Sequence, residues 1–382
     1  DLINQGAKDY EAGIDKLFAV FQHNIIQPLL EKLNLPPERF VFCPGNHDVN
    51  RLEDSKYEEN GLFSLLDSEV AISSLMQDKR CSNSVKRMVA FKKFEKNYYS
   101  NIEGIQYQYG FFESNLILNV NSVSVGISLL NSSWRSYDSK TDKGRLLIGK
   151  EQIINSLSYI DKCQVKLALS HHDIVWLADF DATEIQKQIC KNYDMFFTGH
   201  THSSHECYQI KPEGSTFNVV APGVLSANIG VSDSIYRNGF SLIDYDLVNA
   251  QFNSRLFFQD GVSSFKLDQN HGEDGVWTID VPIGDDARSK REVMSLVMDI
   301  RDNADKSNEH LLSYKTKSYA PKSVSQIFVE PVLSVRNMLD TINDKDTKIE
   351  SITLKEVLDS DKNYIFFGIK ESGKTTTNVY DY

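Results

Sequence analysis

Several features that would place a chain in a large class are missing here. The five cysteines, Cys43, Cys81, Cys163, Cys190 and Cys207, are scattered, odd in number and form no CxxC pair. That excludes a thiolate zinc knuckle and a disulfide framework, and it suits a reducing, cytoplasmic compartment. No apolar run is long enough to span a bilayer, so no membrane partner is expected. Signal-peptide patterning, internal repeats and low-complexity tracts are also lacking. Positive charge is in deficit: 41 Lys and Arg against 53 Asp and Glu give a net −12 over 382 residues. A generally sticky nucleic-acid binder is thereby excluded, although a local basic groove is not. An initiator methionine is lacking too. The chain begins at Asp1 and stops at Tyr382, just after a motif that ordinarily opens a domain, so it is expected to be a piece of a longer protein.

What remains is an ordinary globular composition, 41% hydrophobic and 25% charged, with room for two or three domains. Residues 10–33 carry Ile14, Leu17, Phe18, Phe21, Ile25 and Leu29 at helical spacing. Residues 39–43 read as a buried strand. Residues 60–100 read as mostly helical, with Met88, Phe91, Phe94 and Tyr98 on one face. Lys86, Arg87, Lys92, Lys93 and Lys96 share the other faces, either as a solvated surface or as a basic cap over an anionic substrate. Residues 104–134 alternate like antiparallel strands. Helices are expected over 148–160 and 182–192, strands at Val165–Leu169 and Met195–Phe197, and further strands over 207–247 and on to about 282. The mixture suggests a layered α/β sandwich.

Three apolar strands empty into polar clusters. Phe40-Val41-Phe42 leads into Pro44-Gly45-Asn46-His47-Asp48, with Arg51 nearby as a residue that could touch a phosphate or form a surface ion pair. Leu167-Ala168-Leu169 leads into Ser170-His171-His172-Asp173, and Phe196-Phe197-Thr198 into Gly199-His200-Thr201-His202. Five of nine histidines sit at these strand ends. On an extended segment, residues two apart point the same way, so His200 and His202 are expected to converge on one centre. Imidazole, amide and carboxylate donors without thiolate suit manganese, iron, zinc or nickel ions.

In type and order, Gly45-Asn46-His47-Asp48, His171 and Gly199-His200-Thr201-His202 resemble the motifs of the calcineurin-like metallophosphoesterases. Asp1-Leu2-Ile3-Asn4 resembles the stretch after the Gly of that family's Gly-Asp motif, and Gly239-Phe240-Ser241-Leu242 resembles its late strand. The family's first Asp-x-His motif is absent from the chain, and His171-His172-Asp173 stands for the commoner His-His-Pro. The resemblance covers roughly residues 1–283 and implies a four-layer α/β/β/α sandwich. It further implies two divalent metal ions, manganese first among them, bridged by Asp1. Asn46, His171 and His200 would hold one ion with Asp1, and His202 would help hold the other. His171 is preferred to His172 as the ligand, and His205 is expected at the surface. His47 would give a proton to the leaving oxygen or hold a phosphate oxygen, oriented by Asp48. The implied reaction is hydrolysis of a phosphate ester, with a nucleotide or nucleic acid as the expected substrate.

A second motif lies near the end. Gly368-Ile369-Lys370-Glu371-Ser372-Gly373-Lys374-Thr375 fits G-x-x-x-x-G-K-[ST] and comes directly after the strand-like Tyr364–Phe367. Gly368, Ser372 and Gly373 would help cradle the phosphates of ATP, Lys374 would reach the outer ones, and Thr375 would hold Mg²⁺. The segment resembles the start of a P-loop NTPase of the STAND type, which would hydrolyse ATP only with the rest of its domain. The expected organisation is a hydrolase over 1–283, a helical linker over 284–360 and the NTPase start over 361–382, with self-association through the NTPase region. Such fusions resemble bacterial antiphage defence proteins, with a nucleotide gating the effector. The alternative is a non-catalytic metal-binding sensor or scaffold.

Overall fold

The computed structural model describes residues 1–3, 13–281 apart from 52, 54, 79, 82–84, 121–122, 139, 225–237 and 261–263, and short pieces at 333–335, 350–353 and 356. The Gly368–Thr375 motif and the boundaries expected near 283 and 360 lie outside the described residues. The chain divides into two units, Asp1–Ile243 with Ser254–Trp277, and Asp244–Asn253 with Thr278–Tyr382.

The first unit is built on a seven-stranded mixed sheet: β1 (Ile105–Tyr109), β2 (Ser114–Val120), β3 (Val123–Leu129), β4 (Val165–Leu169), β5 (Met195–Thr198), β6 (His205–Lys211) and β7 (Gly214–Val220). Its order is β1-β2-β3-β4-β5-β7-β6. The four central strands β3, β4, β5 and β7 run parallel, and hairpins flank them at each edge. Period-two alternation sends neighbouring side chains to opposite cores. Leu116 and Leu118 face one cluster with Phe18, Phe42, Phe91 and Tyr99. Ile117 faces the other, where Ile153, Ile160, Ile185 and Ile189 pack. The helical members of these clusters come from α1 (Ile14–Phe21) and α5 (Val89–Tyr99) on one side, with Phe42 from the segment at 39–43, and from α6 (Lys150–Ile160) and α7 (Asp179–Asn192) on the other. Helices thus flank both faces.

The long amphipathic segment starts at Ile14 and is not a single α-helix. A π turn over Gln22–Ile26, closed by the Gln27 N–H on the Gln22 carbonyl, separates α1 from α2 (Gln27–Leu33). Residues 39–43 form no ladder strand among the described residues. The reason is a side chain. The Phe42 N–H donates to the Tyr99 hydroxyl at 3.1 Å, and that hydroxyl lies 3.5 Å from the Phe40 carbonyl. Tyr99 thereby takes the place of a neighbouring strand, while Phe42 stacks on Tyr99 and Phe94 with centroids 5.1 and 5.5 Å away.

The basic helix also departs from the sequence reading. Lys86, Lys93 and Lys96 are exposed, but Arg87 and Lys92 are buried. On α5, Lys92 Nζ donates to Glu95 at 2.8 and 3.0 Å and to Ser114 Oγ at 2.9 Å. Arg87 Nη2 donates at 2.7 Å to Glu59 of α3 (Lys56–Leu65), the helix before α4 (Glu69–Gln77), and Arg135 grips the same carboxylate with bonds of 2.9 and 2.8 Å. Charges inside must be paired. These two are spent on internal carboxylates and cannot cap a substrate.

In α7, the buried Asp181 carboxylate accepts from the Ile148 and Gly149 N–H groups at 2.6 and 3.0 Å, just ahead of α6. Beyond the sheet, the first unit contains the start of β8 (Gly239–Asp246), most of β9 (Gln251–Asp260) and β10 (Ser264–Leu267), which pairs antiparallel with β9. The second unit holds the end of β8, the start of β9, and all but the first residue of β11 (Trp277–Asp280). There Gln251 donates to Asp280 at 2.9 Å and Tyr245 stacks on Phe252 at 4.1 Å. It also contains the antiparallel pair β12 (Leu333–Val335) and β13 (Glu350–Ile352).

Two of these contacts can be tested by their effect on stability. Tyr99→Phe strands the Phe42 N–H and should cost about 1–3 kcal/mol in urea unfolding. Burial raises the Asp181 pKa from 3.8 to about 7. Below the unfolded value both states are protonated; between 3.8 and about 7 the folded state holds the extra proton, so stability falls as pH rises through that window. Asp181→Asn lacks this titration. The advantage of wild type over Asp181→Asn should therefore shrink between pH 5 and pH 8.

Candidate metal centre

Parallel neighbours β3, β4 and β5 present their carboxyl ends at one edge, where loops of an open α/β sheet gather functional side chains. The loop after β3 carries Asn131, Ser132 and Ser133, that after β4 carries His171 and His172, and that after β5 carries His200 and His202. The turn at 44–48 is drawn to the same edge, since Ser133 Oγ donates to the Pro44 carbonyl at 2.9 Å.

Within this edge, Asn46 Oδ1, His171 Nε2 and His200 Nδ1 form a small triangle with sides of 2.9, 3.1 and 3.2 Å. Asp1 Oδ1 lies 3.5 Å from His171 Nε2 and accepts the His47 N–H at 2.8 Å. Ligands at bond lengths of about 2.1 Å and right angles sit about 3.0 Å apart. The triangle has that edge length, and its atoms are the O and N donors a borderline divalent ion takes. The donor set therefore fits a metal ion.

Burial, first of all, pushes the His171 and His172 pKa values well below the ordinary imidazole range, with neighbouring imidazoles adding to it. The same cause lowers His200 to about 4, and lowers the half-buried His47. All four rings are neutral at pH 7, so each keeps a lone pair.

His172 also brings a nitrogen within 4.8 Å of those of His171 and His200. Its Nδ1, however, lies 2.8 Å from Ser132 Oγ. That hydroxyl accepts the His172 N–H at 3.1 Å and the Ser170 hydroxyl at 3.1 Å. With both lone pairs used, the Ser132 proton goes to Nδ1, and neutral His172 carries its own proton on Nε2. His171 is then the lone-pair donor of the pair. Trp176 stands edge-on to the His200 ring at 4.3 Å.

The structure differs from the sequence reading at two further points. Asp48 does not orient His47. Its fully buried carboxylate accepts the N–H groups of Leu2, Ile3 and Gly45 at 2.7, 2.9 and 2.8 Å, so both oxygens are occupied. Nor do residues 199–203 run extended. His200 and His202 have φ of 68° and 55°, and the Thr201 N–H closes on the Gly199 carbonyl at 2.8 Å. This is a tight turn of the strained, left-handed kind. His200 turns into the cluster, and the exposed His202 interacts electrostatically with both His200 and His47. Arg51 Nη2 donates to the Asn46 carbonyl at 3.0 Å, and His205 is exposed. Sequence reasoning missed Ser132, Ser170 and Trp176. The polar run after the apolar β3 was the available signal for Ser132.

No protein-family model and no curated protein matches the sequence. Among solved structures, the chain is similar to a Staphylococcus aureus protein assigned provisionally as a 5'-nucleotidase, in complex with alpha-ketoglutarate. The identity is 12%, the coverage 51% of this chain and 34% of that one, and the TM-score 0.20. It is also similar to Vps29 from Entamoeba histolytica complexed with Zn²⁺, at 13% identity, 40% and 58% coverage and a TM-score of 0.18. At these scores neither likeness fixes fold or activity, and this chain spans under two thirds of either protein. No helix among the described residues is long and apolar enough to cross a membrane.

A Cβ on Gly45 would overlap the Asp1 carboxylate, whereas one on Gly61 meets open space. Gly45→Ala should therefore displace Asp1 and weaken divalent-ion binding about 10–100-fold. Gly61→Ala should leave it unchanged. Calorimetric titration of both variants with Mn²⁺ checks this.

Proposed function

We propose that the chain is a metal-dependent phosphoesterase acting on nucleotide or nucleic-acid phosphodiesters. The observation that supports this most is the convergence of Asn46, His171, His200 and Asp1 on one point, with His47 bonded through its backbone to Asp1. Bound divalent ions would supply a water of lowered pKa and neutralise charge on the phosphate. The chain's own residues do the rest. Asn46, His171 and His200 would hold one ion with Asp1, and His202 with Asp1 would contribute to a second position. His47, half-buried and beside the cluster, offers an N–H to a phosphate oxygen or to the leaving oxygen. Asp48 and Arg51 hold the turn that carries both Asn46 and His47. Manganese is the preferred ion, with iron, zinc or nickel compatible with the same donors. Regulation by a nucleotide at Gly368–Thr375 and a role in defence belong to the same proposal, and only the sequence motif supports them.

Hydrolysis of DNA, RNA, cyclic nucleotides and bis-p-nitrophenyl phosphate with Mn²⁺, alongside elemental analysis, tests the reading. His47→Ala should lower kcat about 10²–10⁴-fold with metal content unchanged. Asn46→Ala should lose both metal and activity. Equal turnover by wild type and His47→Ala would remove the assigned proton donor. About two bound ions per chain would support the enzyme, and zero or one would point to the scaffold alternative.

A further inference from the structure

His200 is aimed at the candidate metal centre without the usual tether. Its backbone is left-handed, with φ of 68°, and the Gly199 N–H before it donates to the His171 carbonyl at 3.0 Å. That turn sets where the side chain starts but leaves the staggered χ1 wells open. A ligating histidine is ordinarily oriented by a hydrogen bond from its other ring nitrogen to a carboxylate or carbonyl. His200 offers Nδ1 to the cluster, and among the described residues no protein acceptor meets its Nε2. Two rings stand against it instead. The His172 ring lies 4.4 Å from the His200 ring, tilted by 56°, and the Trp176 indole lies 4.3 Å away at 88°. The centroids of these two rings are 5.9 Å apart, so they meet His200 from directions at roughly a right angle. Together they form a corner.

Both walls of the corner are themselves fixed. His172 is buried and tied to Ser132 Oγ through its Nδ1 and its backbone N–H. Trp176 is half-buried and ends the short helical turn Ile174–Trp176. Its carbonyl accepts the Gly144 and Leu146 N–H groups at 2.9 and 3.3 Å, and its N–H donates to the Asp173 carbonyl at 3.0 Å. Leu146 and Leu177 continue this contact as a parallel bridge. The indole is therefore anchored on the segment that leads into α6 as well as on its own loop.

We propose that Trp176 is a positioning residue for His200. Its ring, with that of His172 as the second wall, holds the imidazole in the orientation that sends Nδ1 toward Asn46 Oδ1 and His171 Nε2. Aromatic rings attract edge to face at such separations. An orientation held before the ion arrives spares the binding step the cost of ordering the ligand. Packing thus takes over the task that a hydrogen bond performs at other histidine ligands. The inference rests on His200 serving as a metal ligand, as in the reading above, and not on the reaction that follows.

The test measures metal binding by the full chain after a chelator has stripped it. Calorimetric titration with Mn²⁺ gives the affinity, and the visible absorption of the Co²⁺ form reports ligand geometry. Trp176→Ala should weaken Mn²⁺ binding about tenfold and change the Co²⁺ spectrum. Trp176→Phe, which keeps an aromatic edge, should restore most of both. In a His200→Ala background, Trp176→Ala should change Mn²⁺ affinity no further, because the ring it steers is gone. An indole that only fills space would lower the urea midpoint of metal-free Trp176→Ala and leave Mn²⁺ affinity and Co²⁺ spectrum as in wild type. That result would overturn the assignment, and so would an equal loss of affinity from Trp176→Ala with and without His200. A wild-type chain that binds no Mn²⁺ would overturn the metal centre and the positioning role together. One that binds Mn²⁺ and hydrolyses no phosphate ester would overturn the phosphoesterase reading alone and leave the role of Trp176 standing.

Discussion

Three backbone N–H groups, those of Leu2, Ile3 and Gly45, end on one buried carboxylate, that of Asp48. Hydrogen bonds to an ionised acceptor inside a protein are about twice as strong as neutral ones. They tie two stretches more than forty residues apart in sequence into one surface. Only because that knot is closed can Asp1 rest against the bare Cα of Gly45 and accept the His47 N–H. The geometry of this donor cluster is therefore a consequence of backbone satisfaction. Donors reach about 3 Å from one another because the turn that carries them has no freedom left.

The same economy governs the charges inside the first unit. Arg87, Arg135 and Glu59 form a buried triad, and Lys92 with Glu95 forms a buried pair that Ser114 and Tyr107 complete. Replacing both members of such a pair by apolar groups is often neutral, but removing one leaves an uncompensated charge at a cost of about 3–5 kcal/mol. These groups fix where helices dock. They also position Ser136, whose carbonyl receives Arg87 Nη1 at 2.7 Å. That residue closes the loop that begins at Asn131, so the support reaches Ser132 and hence the tautomer of His172.

Much of this was legible in the sequence. β4 runs Val165–Leu169 as expected, the antiparallel run after residue 104 forms, and the three polar clusters at apolar run ends do meet. Those features are local: periodicity and the residue type at a strand end. What could not be read was decided by distant partners. Phe40–Phe42 has strand composition, but its N–H found a tyrosine hydroxyl from α5. Arg87 and Lys92 look like surface cations on a helical wheel, and the acids that bury them lie in α3 and one turn along α5. Asp48 sits beside His47 in sequence, yet its carboxylate is taken by the backbone N–H groups of Leu2, Ile3 and Gly45. The left-handed backbone of His200 and His202 had no glycine at those positions to announce it. Strain of that kind, held in place by surrounding bonds, concentrates where a site must aim a side chain.

The π turn between α1 and α2 has its own consequence. It holds one residue more than an α-helical path needs, so every side chain after Gln27 is rotated by about 100° relative to an uninterrupted helix. Val20, Ile25, Leu29 and Leu33 line the outer surface, while Leu30 is turned inward. Excising a single residue from Gln22–Ile26 would restore ordinary winding and swap which leucines face the core. Length variation at that spot is therefore a rotation of a whole helix face, and the inner surface of α2 is matched to a chain that kept its insertion.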